Sequence, residues 1–127
     1  MRYMFLTSGA ETGAIPPQAM IDAIEKLTEQ EIAAGRMIAR CGLMPTALGS
    51  ARIESRRGRL KLTDGPFAET KEVLGGFAIF EFATREDALA AAQSFMELHR
   101  QHWPEWEGGC EMRPMFGFGA TSAALLD

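Results

Sequence analysis

Apolar residues along this chain fall into short, separable patterns. Tyr3 to Leu6 is an unbroken apolar run of strand length, the pattern of a buried strand. Gly9 to Gly13 reads as a loop, and Pro16-Pro17 then introduces a helix from Gln18 to about Ala34. Met20, Ala23, Ile24, Leu27 and Ala34 recur on one face of that helix; Pro17 suits its first turn and Gly35 its end. From Arg36 to Leu43 the period changes to two, with Met37, Ala39, Cys41 and Leu43 on one side of a strand closed by Pro45.

Ala51–Glu54 and Arg59–Leu62 flank Gly58 as a β-hairpin, whose basic tip (Arg56, Arg57, Arg59, Lys61) reads as solvated. Val73 to Ala83 is the strongest strand signal, and Gly75-Gly76 marks a bulge near its start. Thr84-Arg85-Glu86-Asp87 has the character of a capping box, with acidic residues in the positive first turn of a helix reaching about His102. Pro104 disfavours a helical Trp103, and Cys110 to Phe116 forms a last strand. The tail from about residue 118 is expected to be poorly ordered.

Without the hairpin, this order is the ferredoxin-like α+β pattern: an antiparallel sheet with two helices on one face. Phe77, Ile79 and Glu81 point to one side of the strongest strand, and Ala78, Phe80 and Phe82 to the other. Both faces are thus largely apolar, while the helices cover only one. A homodimer packed through its sheet faces follows as the expected assembly.

A length of 127 residues suits one domain with its own core, and 46% hydrophobic against 24% charged residues is ordinary globular composition. A net charge of −4 with no basic face argues against nucleic acid. The N-terminal apolar run is too short for a membrane span or signal peptide, so a cytoplasmic location is expected. Cys41 and Cys110, each in an apolar strand, are expected to be buried thiols, with a disulfide between them left open.

"TDGPFAETKEVLGGFAIFEF" (Thr63 to Phe82), followed by "TREDALAAA", resembles the YCII-related, DGPF-motif family. "RYMFL", "AAG", "GLMP" and "EMRPMF" fall where that family has similar strings, so the resemblance covers nearly the whole chain as a single domain. The resemblance implies a dimeric α/β barrel with a pocket between helices and sheet or near the dimer barrel. It also implies small-molecule binding or acid–base chemistry, with an Asp and a His as proposed catalytic groups. Asp64 is the matching Asp, whereas the His of the first helix in some relatives has no counterpart between Gln18 and Ala34.

Each candidate residue has a structural reading beside its chemical one. Asp64 can accept hydrogen bonds from the N–H groups of its own Gly-Pro turn, or be held at a pocket mouth as a general base. Glu69 and Lys71 belong to a solvated loop or to the rim of that pocket. His99 and His102 fall on or beside the inward face of the second helix, near a C-terminus that favours their charged forms. One of them serves as the acid–base group, or both are satisfied structurally. Their spacing offers a metal two ligands and no obvious third, so no metal and no cofactor is expected. Glu31 lies on the apolar face of the first helix, as a buried base or as a wet residue near its end. Glu81 and Arg113 pair with each other in the sheet or line a pocket. Phe67, Trp103 and Trp106 are candidate apolar walls.

The function expected from these residues is binding of a small cyclic or aromatic molecule. Cofactor-free isomerase or lyase chemistry would use Asp64 with His99 or His102. The alternative is a non-enzymatic dimeric accessory or regulatory module.

Overall fold

Alternating side chains assemble β1 (Arg2–Gly9), β2 (Met37–Gly42), β5 (Val73–Glu81) and β6 (Gly108–Pro114) into an antiparallel sheet of order β2-β5-β1-β6. β3 (Ala51–Arg56) and β4 (Arg59–Asp64) form a separate hairpin. The helices α1 (Gln18–Ala33) and α2 (Arg85–His102) follow β1 and β5. The structure is a computed structural model that describes residues 1–116, so the tail from about residue 118 lies outside the described residues. This α+β arrangement is consistent with a ferredoxin-like fold.

One sheet face carries the core. Tyr3 and Phe5 of β1, Phe80 of β5, and Phe82 pack with Ala88 and Ala92 of α2, and Ala88 has no exposed surface at all. Small alanines let the helix approach the aromatic layer closely. Ile79 is buried too, but stands outside this cluster on the opposite face, where its cross-strand neighbours are Met4 and Ala39. Alternation in β5 therefore runs as expected, with an apolar set on each side.

Local chemistry sets the element ends. Thr84 Oγ1 accepts from the Asp87 N–H at 3.1 Å, so the expected cap opens α2. α1 ends in a Schellman motif: Gly35, at φ +73°, donates to the Ile32 carbonyl, and the Arg36 N–H donates to that of Glu31. The bulge expected at Gly75-Gly76 is present, with Thr7 opposite Gly76 and Ser8 opposite Leu74.

Two expectations need correction. β2 does not alternate evenly, because a register shift between Met37 and Ala39 inserts Ile38 as an extra residue. Met37 joins the core face opposite Phe80, while Ala39 and Cys41 pair with Ile79 and Phe77 on the other. Cys41 is consequently exposed rather than buried; Cys110 is half-buried, and both thiols are free. β6 also begins earlier than expected and ends at Pro114, leaving Phe116 outside it and exposed.

The hairpin is turned inside out. Its two faces segregate cleanly, Ile53, Leu60 and Leu62 on one side and Arg52, Glu54 and Lys61 on the other. Arg52 and Glu54 are half-buried, yet Ile53, Leu60 and Leu62 are 68%, 77% and 62% exposed. The charged face makes its contacts with the Phe67–Thr70 loop through Arg52, and the apolar face looks outward.

Candidate functional site

The Asp64–Phe67 turn follows directly from β4 and contains a cis Gly65–Pro66 peptide. It is held from outside its own segment. The Gly65 N–H donates to the Ser50 carbonyl at 2.8 Å, and the Phe67 N–H donates to Thr46 Oγ1 at 3.2 Å. Thr46 is buried, and its hydroxyl and N–H donate to the two Glu11 oxygens at 2.5 and 2.7 Å. Those two bonds hold the Glu11 carboxyl below the usual carboxylate range. Arg52 lies over the Phe67 ring at 4.3 Å and donates to Thr70 Oγ1, so Phe67 is a packing partner of the hairpin.

Asp64 takes no part in this network. Its carboxylate is exposed and accepts no hydrogen bond among the described residues, contrary to the turn-capping expectation. Ser50 and Thr46 supply the bonds that Asp64 was expected to provide. Glu69 and Lys71 are exposed beyond the turn, in a loop rather than around a cleft.

A second constellation lies where α2 ends. His99 is buried, and its Nδ1 lies 3.0 Å from the Phe95 carbonyl, which fixes Nδ1–H as donor and leaves Nε2 as acceptor. Phe95 meets the His99 ring edge-on at 4.7 Å, while Trp106 lies across it at 4.4 Å. The chain reaches that geometry through two short bonds: the Trp103 N–H donates to the His99 carbonyl and the Trp106 N–H to that of Trp103. Gly9 and Gly108 make room for the indole, since a Cβ at either would come within 2.8 or 2.3 Å of Trp106.

Trp106 and Trp103 divide two adjoining clefts. One, of about 190 Å³, is lined by His99, Met96, Arg100 and both indoles. The other, about 260 Å³, reaches Ala10, Thr12 and Glu107. No buried side-chain nitrogen or oxygen among the described residues lacks a partner, so His99 Nε2, which has none there, is not sealed from solvent. Arg100 at the rim is paired with Glu97.

Burial outweighs the helix C-terminus at His99: desolvation pushes its pKa down, partly opposed by the Phe95 carbonyl. The expected preference for the charged form is thereby corrected, since burial disfavours it. The unfolded chain binds a proton near pH 6.5 and the folded one only at lower pH, so the His99 contribution is present above about 6.5 and is lost as pH falls below it. An NMR titration of the two histidines is expected to give His99 a midpoint below 6.5. An ordinary or raised midpoint would contradict the buried geometry.

The remaining candidates are placed elsewhere. His102 is half-buried and lines neither cleft. The Schellman motif folds Arg36 back onto Glu31, whose oxygens take two bonds at 2.7 and 3.1 Å; Glu31 is therefore an ion-pair partner rather than a free base. Glu81 pairs with the Met1 amino group and Arg2, and Arg113 with Glu111, so the two do not pair with each other. Their registers explain this: Glu81 stands opposite Arg2, and Arg113 opposite Met4. Asp64 lines neither cleft, and no three His, Cys, Asp or Glu among the described residues are grouped to hold a metal. Trp106 emerged only as a wall from the sequence, and Glu11 and Thr46 carried no signal there, because their bond joins loops 35 residues apart.

These features define an α+β protein, a four-stranded antiparallel sheet with a separate hairpin, that carries a hydrogen-bonded Asp-Gly-Pro-Phe turn and an aromatic, histidine-lined cleft. The chain belongs to the YCII-related domain family, which it matches over residues 1–100. That match ends within α2, before the two tryptophans. An uncharacterized protein of Rhizobium meliloti (strain 1021) is 32% identical over 84 residues, 66% of this chain and 63% of that relative's length. No described helix is long and apolar enough to cross a membrane.

Proposed function

We propose that the chain binds a small, flat organic molecule in the cleft between the α2 C-terminus and the Trp103–Gly108 segment. The observation that carries this reading is His99: a buried imidazole, held at Nδ1 by the Phe95 carbonyl, that lines a cavity walled by two indoles. Aromatic walls with one oriented polar group are the usual composition of a small-molecule site. The cavity volume, about 190 Å³, favours a single ring carrying a hydrogen-bond donor over anything larger. In this reading Nε2 receives the donor's proton in part or in full, which is the basis for cofactor-free isomerase or lyase chemistry. Pairing His99 with Asp64 requires the hairpin root of a second copy, since in one chain Asp64 lines neither cleft. Two free thiols support a cytoplasmic setting.

Trp103 and Trp106 are the only tryptophans and both line this cleft, so tryptophan fluorescence reports on its surroundings. Titration with phenol, with excitation at the red edge of tryptophan absorption, is expected to give a saturable change. In the His99→Phe variant the affinity should fall about tenfold through loss of the acceptor. Absence of any saturable change up to millimolar probe would overturn the reading.

A second reading rests on a different observation. Met4, Leu6, Phe77 and Ile79 lie on the sheet face away from the core cluster. That face supports a homodimer packed sheet to sheet, acting as an accessory or regulatory module or as the scaffold of a dimeric barrel. Sedimentation showing only monomer at micromolar concentration would exclude it.

A further inference from the structure

We infer that the outward apolar face of the β3–β4 hairpin is an arm that docks on the body of a second copy of this chain. Amphipathic hairpins on soluble proteins turn their apolar side inward, because burying a large side chain removes apolar surface from water. Here the reverse holds. Arg52 packs on Phe67 and Glu54 is half-buried, while Ile53, Leu60 and Leu62 are more than three-fifths exposed. Arg52 draws the charged face toward the loop that follows the hairpin, through its bond to Thr70 and its packing on Phe67.

Charge identifies the occupant. Residues 51–64 carry five Arg or Lys against Glu54 and Asp64, a net +3, which leaves −7 on the rest of a chain whose total is −4. A basic arm with an apolar face fits an acidic body with apolar residues of its own, and this chain's body is one. Leu43, Met44 and Leu48, between β2 and β3, are 49%, 70% and 59% exposed. Two hairpins meeting each other would instead bring like charges together. Reciprocal exchange, each arm on the other body, satisfies two-fold symmetry and matches opposite charges twice.

The proposal shares its partner with the homodimer reading above but not its surface, so the two fail separately. Sedimentation equilibrium of the full chain at low salt is compared for the native protein, a Leu60→Thr/Leu62→Thr variant and a Met4→Thr variant. Both leucines are exposed and threonine suits strands, so at a dilution where both proteins are monomeric the double variant is expected to melt with the native chain. Its dimer should be roughly a hundredfold weaker, and the native dimer should weaken as salt is raised. A photo-crosslinking residue at Leu60 of the purified chain should join the hairpin to body peptides of a second chain. Unchanged association in the double variant overturns the arm, whether or not the Met4 variant dissociates. So does hairpin-to-hairpin crosslinking, or an arm that crosslinks to no second copy because it serves a different protein.

Discussion

Replacing Gly65 by alanine is expected to cost about 3 kcal/mol or more, one of the largest losses available to a single methyl group in this fold. The added Cβ would lie 1.8 Å from the Thr46 carbonyl oxygen and 2.8 Å from its carbon, with Ser50 Cβ at 3.3 Å. The obstruction is backbone, so no rotamer change relieves it. Thr46 cannot retreat freely either, because it is buried and both its N–H and hydroxyl are committed to Glu11. The melting temperature should fall by about 10 °C or more. Asp64→Asn provides the contrast, since the Asp64 carboxylate accepts no bond among the described residues and its loss should leave the melt unchanged. Equal melts for Gly65→Ala and the native protein would contradict the packing of this turn.

Phe80→Ala is expected to cost about 3–5 kcal/mol, a large share of the 5–15 kcal/mol that stabilises a typical domain. Phe80 is 6% exposed, and its ring centroid lies 4.8 Å from Phe5 and 5.5 Å from Phe82. Sheet strands on either side hold those rings in place, so the cavity left behind has little means of collapse. Urea unfolding would show the loss as a lower midpoint with an unchanged slope. The same truncation at Leu60, 77% exposed, should barely move the midpoint of the monomer.

Much of this fold was legible because strands and helices declare themselves by period. The two apolar sets of Phe77–Phe82, the Thr84 cap and the Gly75 bulge all lay in local patterns, and each appears as read. Reading failed where one residue changed the phase, as at Ile38, whose insertion moved Met37 to the core and Cys41 to the surface. It also failed where two local effects competed: the helix end favours a charged His99, yet desolvation prevails. For the hairpin, alternation revealed an apolar face but held no information on the direction that face would turn. Asp64 was singled out for its turn, and the turn proved to be held by Thr46 and Ser50.

The bonds from Thr46 and Ser50 give the Asp-Gly-Pro-Phe signature an unusual status. Its backbone is anchored by residues 21 and 15 positions upstream, and by Glu11 one step further out. A peptide spanning residues 62–77, or the same four letters grafted into another hairpin, would lack every one of those anchors. The signature is therefore a non-local object, the visible end of a loop-to-loop junction. A useful transplant would carry Glu11, Thr46 and Ser50 along with it.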